Sequence, residues 1–478
     1  MVRLSPVLRP RRQSLWLDEV QVLEPDAHAA EGLIGTIQTD ICIVGGGFTG
    51  LWTALRLLEL DPSVSVTLLE AEICGFGASG RNGGMVGAWW GKLATLEKVC
   101  GTEEARFLAE ASYGAIGEIE HFLKAHQIEA HFVRNGRLQV ATSRFQQDSW
   151  EPNLRKAEAM GYGQYFTRLD KEEIRARSGS PIVTGGYFES GQATVQPALL
   201  ARGMRRVAIE CGVQIYENTP VQQIVEGDPA VLRTPKGTVI APKVILATNA
   251  WTGAIPELRR HMIVVSSDMI ATRPAAEQLQ QIGWTGGESL ADCRLMVHYG
   301  HVTHDRRIAI GRGSGALAYM GRLTPTFDGD PVKAAVVEQG LRKFYPNLAD
   351  VRITHAWGGP IDRSRSGTLI FGHLEGSPNI MYGIGYSGTG VSQTVLGGKI
   401  LASTALERRD EWSTTRLNQG PLILYPPDPI KFFGGIFVRR VLTQREEGEE
   451  DGIAPSRLAV EISKLAYPTL PRAIRNKH

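Results

Sequence analysis

One hexapeptide limits the architecture of this chain more than any other segment. Gly45-Gly46-Gly47-Phe48-Thr49-Gly50 sits between an apolar run, Ile41-Cys42-Ile43-Val44, and a stretch where Leu51, Ala54, Leu55 and Leu58 recur at helical spacing. A short apolar run stopped by glycines predicts a strand buried on both faces. Asp61-Pro62 ends the following helix, and Val64 to Leu69 predicts a second strand that closes at Glu70. Gly45, Gly47 and Gly50 match G-x-G-x-x-G, in which the glycines serve a tight turn, close approach of backbone to a pyrophosphate, and close helix-to-strand packing. Phe48 and Thr49 open the helix, whose free N–H groups and positive dipole end suit phosphates. Glu70, acidic rather than basic, suits the hydroxyls of an unphosphorylated ribose. NAD and FAD both satisfy this reading.

At 478 residues the chain exceeds one ordinary core. The expected fold class is α/β: a Rossmann-type dinucleotide-binding domain on a parallel sheet, with an inserted α+β substrate domain built on a largely antiparallel sheet. Residues 38–130, 195–260 and 350–410 are expected to form the first domain, 131–194 and 261–349 the second, and 411–478 a C-terminal appendage. The apolar stripe from Thr102 to Gln127 predicts a long helix, Gln196-Pro197 opens another that Cys211-Gly212 closes, and Pro331 to Phe344 predicts a third. Strands are expected at Arg137 to Thr142, Val213 to Tyr216, Val221 to Val225, Leu295 to Tyr299, Arg307 to Gly311 and Ile380 to Ile384, with a last helix from Val391 to Leu406. The Pro-rich tail beyond Trp412 carries no readable element.

Composition removes several functions. Lys plus Arg (52) balances Asp plus Glu (50), which argues against a nucleic-acid surface. The five cysteines are scattered and free of metal-ligand spacing, so neither a disulfide framework nor a metal centre is expected, and a reducing cytoplasm is the simplest setting. The basic Met1 to Arg12 leads into Leu15-Trp16-Leu17-Asp18-Glu19 without a signal-peptide core, and no apolar stretch reaches membrane-spanning length. Oligomeric state is left open.

The loop Gly75 to Gly84 and residues far downstream bring a specific resemblance. GGGFTGLWTALRL, the terminal Glu70, GASGRNGG, Ala247-Thr248-Asn249-Ala250-Trp251 and Gly385-Tyr386-Ser387-Gly388-Thr389-Gly390-Val391 together resemble the FAD-dependent D-amino-acid-oxidase superfamily (DAO family), in the branch of gamma-glutamylputrescine oxidases. Val195 to Leu200, Val265 to Met269 and Val297-His298-Tyr299 look most like a group of aminophosphonate oxidoreductases within it. The resemblance implies FAD contacts at Ala78, Ser79, Arg81, Asn82, Gly83, Gly84 and Met85, then at Val221, Ala247, Asn249, Trp251 and Gly359. It further implies a glycine loop beneath the flavin ring, Gly385, Ser387, Gly388, Thr389 and Gly390, followed by a helix whose dipole favours reduced flavin. No cysteine stands in Ala356-Trp357-Gly358-Gly359, where sarcosine-oxidase-like members tether flavin, so non-covalent FAD is expected. Ser392 replaces the lysine with which those members grip a substrate carboxylate.

The expected chemistry is hydride removal from a carbon beside an unprotonated amine, giving an imine that water hydrolyses, with O2 as electron acceptor and hydrogen peroxide as product. The best substrate candidate is 2-aminoethylphosphonate or an N-alkyl derivative. A dianionic tail calls for arginine forks, so His298, Tyr299, His301, Arg312, Arg363 and Arg365 are candidate substrate residues, with Trp89 and Trp90 as candidate walls. A polyamine or N-methylamino-acid oxidase is one alternative. A dehydrogenase passing electrons to a protein or membrane acceptor, through Phe432 to Arg440, is another. A non-catalytic nucleotide sensor is a third.

Overall fold

The structure is a computed structural model, and it describes residues 2–3, 14–27, 32–313 and 315–466. The glycine-bounded run forms the strand Ile41–Val44, all four residues buried, followed by the helix Phe48–Leu60 and the strand Val66–Leu69. These belong to a six-stranded sheet in the order Gln214–Tyr216, Val66–Leu69, Ile41–Val44, Lys243–Leu246, Ser377–Ile384, Ile370–Leu374. The first five strands are parallel, and the last returns as a hairpin.

Alternation explains why both faces of this sheet are apolar. Ile41 and Ile43 pack with Leu51, Ala54 and Leu57 and with Val395 and Leu396 of the helix Gln393–Ala405. Cys42 and Val44 point the other way, onto Ile224, Leu232 and Val239 of a five-stranded sheet. The strand expected at Val221 to Val225 starts two residues later, as Gln223–Val225, and pairs in this five-stranded sheet, whereas Gln214–Tyr216 joins the parallel one.

An eight-stranded sheet forms the second half, antiparallel except where Ser289–Asp292 runs parallel to Arg137–Ala141. Leu138, Val140, Leu290, Ile308 and Ile310 face Ile174, Leu341 and Phe344 of covering helices. The alternate residues Arg137, Gln139, Ser289, Ala291 and Tyr299 face a cavity. The edge strand Ile353–Ser364 lies within 350–410 yet pairs with Met262–Thr272 in this sheet. The strand read at Leu295 to Tyr299 begins later, at His298–Val302, and Leu295, Met296 and Val297 line the cavity as a loop.

Towards both ends of the described residues lie helices that periodicity had not exposed. Ser14 caps a helix, Leu15–Leu23, and the Pro-rich tail leads into a 21-residue helix, Ile430–Glu450, then a short one, Arg457–Ser463. Most of the basic stretch Met1 to Arg12 lies outside the described residues.

Candidate functional site

The strand-end loops of the parallel sheet, the cavity-facing side of the eight-stranded sheet and the helix Ile430–Glu450 enclose a cavity of about 850 Å³. Its deepest constraint is the glycine turn. Gly45 has φ +112°, where a side chain is strained, and a Cβ there would meet the Ala247 carbonyl oxygen at 2.6 Å. A Cβ on Gly50 would collide with the Gly45 carbonyl, so Gly50 lets the helix close on the turn without itself reaching the cavity. Gly47 is the N-cap of Phe48–Leu60, and the Phe48 amide donates to Ser79 Oγ at 2.8 Å.

Glu70 stands on the same wall. Its Oε2 accepts the Gly46 amide at 2.7 Å and Oε1 the Glu72 amide at 3.0 Å. Burial pushes this carboxyl up to about 7 against those hydrogen bonds. A carboxylate held at the strand end beside an open helix N-terminus fits the ribose and pyrophosphate of a dinucleotide.

The loop after the second strand is braced from three directions. Asn82 donates from Nδ2 to Ala78 O and Ser79 O, and its Oδ1 accepts the Gly84 amide at 2.8 Å. Ser14 and Trp16 of the N-terminal helix donate to Gly80 O (2.7 Å) and Asn82 O (2.9 Å), and Trp357 donates to Arg81 O (2.9 Å). Arg81 is buried over the Phe76 ring and bonds Asp328 Oδ1 at 2.8 Å. Its Nη2 has no partner among the described residues, a buried donor that fits a polar group of a bound cofactor. Ala78, Ser79, Asn82, Gly83 and Met85 line the cavity, while Gly84 at φ +67° lies behind it.

Val221, Ala247, Asn249, Trp251 and Gly359 also line the cavity, as do Ser387, Gly388, Thr389 and Gly390. Gly385 does not; it is the reversal, at φ +86°, that aims the loop. The loop's anchor is a residue sequence reading missed. Asp362 Oδ2 accepts the Gly385 amide at 2.6 Å, and the Asp362 carbonyl accepts the Ser387 amide at 3.0 Å. Burial pushes the Asp362 carboxyl up to about 7, against hydrogen bonds from Gly385, Tyr386 and Asn249. The available signal was an acid inside a strand, Pro360-Ile361-Asp362, which is costly unless satisfied. Ser392 is fully buried and donates to Gly87 O at 2.5 Å, so this position offers no cation.

The candidate substrate residues divide. Tyr299 lines the cavity, its hydroxyl 2.8 Å from Ser267 Oγ and pushed by burial to about 12. His298, its neighbour on the strand, faces the opposite side by alternation. There its Nδ1 lies 2.9 Å from Asp292 Oδ2 and its ring against Phe344, a structural setting. His301 shares the side of Tyr299 but is sealed under the Gly83-Gly84 loop, stacked on Trp16, and burial depresses it to about 4. Arg312 lies outside the cavity, 3.7 Å from Glu446. Trp89 and Trp90 are core, Trp90 stacking on Tyr165.

Arg363 and Arg365 do line the cavity, joined by Arg439 from the C-terminal helix. Their guanidinium groups donate to carbonyls only: Arg363 to Ala466 at 2.9 Å, Arg365 to Leu424 at 2.9 Å, Arg439 to Gly315. Among the described residues none of the three has a carboxylate partner. Burial and then the Arg363 charge hold the nearby Lys92 down at about 8. Arg137, Gln139, Gln192, Tyr425 and Lys431 are among the polar lining residues that sequence reading missed.

Residues 40–404 match the family model described as FAD dependent oxidoreductase, DAO. The gamma-glutamylputrescine oxidoreductase of Escherichia coli K12 is 34% identical over 377 residues, covering 77% of this chain and 83% of that protein. "Probable oxidoreductase OrdL" of Haemophilus influenzae is 31% identical over 374 residues, covering 77% and 83%. The glycine oxidase structure from Geobacillus kaustophilus superimposes with a TM-score of 0.66 at 18% identity, over 81% of this chain and 99% of that one, which shows the fold.

Proposed function

The chain belongs to the DAO family of FAD-dependent oxidoreductases, and from that premise we propose that it oxidises the C–N bond of a small amine that carries an anionic group. The observation that carries this reading is the trio Arg363, Arg365 and Arg439, cavity cations paired only with carbonyls. Such forks retain donors for a phosphonate or carboxylate. 2-Aminoethylphosphonate or an N-alkyl derivative is the substrate we favour.

FAD, when bound, supplies the acceptor for the hydride that leaves the carbon. The glycine turn and the N-terminus of Phe48–Leu60 would hold its pyrophosphate, Glu70 its ribose, and the loop Ser387 to Gly390 its flavin end. No cysteine lines the cavity among the described residues, in keeping with non-covalent binding. The arginines orient the substrate by its anionic end, and their positive field lowers the pKa of its amine, favouring the neutral form that releases hydride. The helix Ile430–Glu450 and the residues Leu465 and Ala466 limit water at the reacting carbon. The product imine is hydrolysed by water to aldehyde and amine or ammonia, and O2 is the acceptor we assign, with hydrogen peroxide released.

The test is anaerobic mixing of the purified yellow protein with 2-aminoethylphosphonate, its N-methyl form, gamma-glutamylputrescine, putrescine and sarcosine. Bleaching of the flavin bands by an anionic amine supports the reading; bleaching by putrescine alone removes it. Peroxide formed on admitting air separates oxidase from dehydrogenase.

A further inference from the structure

The helix Ile430–Glu450 has two working faces. Gly434, Gly435, Val438, Arg439 and Leu442 line the cavity, whereas Phe433, Ile436 and Phe437 follow the helical period along the outside from Ile430, an exposed residue at the cavity rim. Ile430, Phe433, Ile436 and Phe437 are 64%, 62%, 36% and 56% exposed. Single exposed apolar side chains are ordinary, but four on one stripe are a patch. It widens through Leu424 in the proline-rich approach and through Tyr319, whose ring meets Phe432 edge-on at 5.2 Å.

The border of this patch is basic. Arg260 donates to Tyr425 O at 3.0 Å, which fixes it beside Leu424. Arg440 lies one turn along the outer stripe from Ile436 and Phe437, and Arg322 follows Tyr319 in its turn. Among the described residues none of these three arginines has a carboxylate partner, so their charge is not cancelled within the protein. Asp428, the nearby acid, is engaged with Lys431 at 3.3 Å.

We propose that this face docks on an anionic lipid surface, with the stripe from Ile430 to Phe437 in the interfacial region and the arginines at the headgroups. Aromatic and aliphatic side chains ringed by arginine suit that boundary, where apolar burial and attraction to acidic headgroups add. A second copy of this chain is a poorer occupant, because a twofold contact would set the same arginine border against itself. No helix among the described residues is long and apolar enough to cross a membrane, so the association is peripheral. The docked face is the outer side of the helix that roofs the cavity. The proposal does not depend on the substrate assigned above.

The experiment is co-sedimentation of the FAD-loaded protein with vesicles of phosphatidylcholine alone or mixed with phosphatidylglycerol, at low and high salt. Docking requires pelleting with the phosphatidylglycerol vesicles that weakens as salt rises. The double variant Phe433→Ser with Phe437→Ser, both outside the cavity, should lose about tenfold or more in vesicle affinity while keeping its flavin spectrum and turnover of a soluble dye. Arg440→Glu, which leaves the apolar stripe intact, should weaken binding to acidic vesicles alone. No pelleting of the wild-type protein at low salt overturns the proposal, and so does equal pelleting with neutral vesicles. A wild-type dimer that the serine variant dissociates, without vesicle binding, would make the face a self-interface instead.

Discussion

The Asp362 carboxylate accepts a hydrogen bond from the Gly385 amide at 2.6 Å, so an edge strand of the eight-stranded sheet fixes the turn that ends the parallel sheet's longest strand. The two sheets are thereby tied together at the loop that would carry the flavin end of FAD. Asp362→Ala should therefore lower the flavin-to-protein ratio after gel filtration, and Asp362→Asn should retain more of it, since one amide oxygen can still accept. Full flavin content and an unaltered flavin spectrum in Asp362→Ala would refute the link.

Burial holds several carboxyls above their ordinary values, among them Glu70 and Asp362 at about 7 and Asp268 at about 6. A raised folded-state value means that the native state binds more protons than the unfolded one between roughly pH 4 and 7. Their contribution to stability is thus present in acid and is lost as pH rises through that window. In FAD-free protein, the melting temperature of Glu70→Gln relative to wild type should climb from pH 5 to pH 7 and level off above. A flat difference across that range would contradict the assignment.

The Gly45 carbonyl leaves no room for a side chain on Gly50. Gly50→Ala should cost at least about 1–3 kcal/mol through forced backbone shifts and should release FAD, read by thermal melting and flavin absorbance. Gly91→Ala is the control, because a Cβ there meets nothing within 4 Å.

Arg439 reaches the cavity from the C-terminal helix and donates to a single carbonyl. Arg439→Met should raise KM for an anionic amine about tenfold or more, on the order of 1.5–3 kcal/mol for a charged hydrogen bond, with little change for an uncharged analogue. Equal effects on both substrates would remove Arg439 from anion binding.

His298 belongs to the scaffold, locked between Asp292 and Phe344. His298→Ala should leave a buried acid with fewer partners and lower the melting temperature by several degrees, a loss of about 1–3 kcal/mol. The kcat/KM of the folded fraction should stay near wild type.

The local part of the molecule was legible in its residues. The turn Gly45 to Gly50, the strand ending at Glu70, the loop before Met85 and the glycines from Gly385 to Gly390 are each written within a few neighbours, because a turn that needs positive φ or a close carbonyl strongly favours glycine. Helices such as Pro331–Phe344 announced themselves through period and cap.

Direction was the tertiary structure's decision. Whether His298 or Tyr299 faces the cavity depends on the register with Arg312 and Gly311 across the strand pair, and a shift by one residue would exchange them. Asp362 reads as an anomaly until Gly385 arrives from a separate strand to satisfy it. The tail after Trp412 looked featureless because the helix Ile430–Glu450 carries apolar residues on two sides, with no single stripe to read. Only its position over the cavity separates the face that holds Arg439 inward from the face that leaves Phe433 and Phe437 outside. Short-range sterics and period determine elements, and long-range pairing determines which of their sides meet.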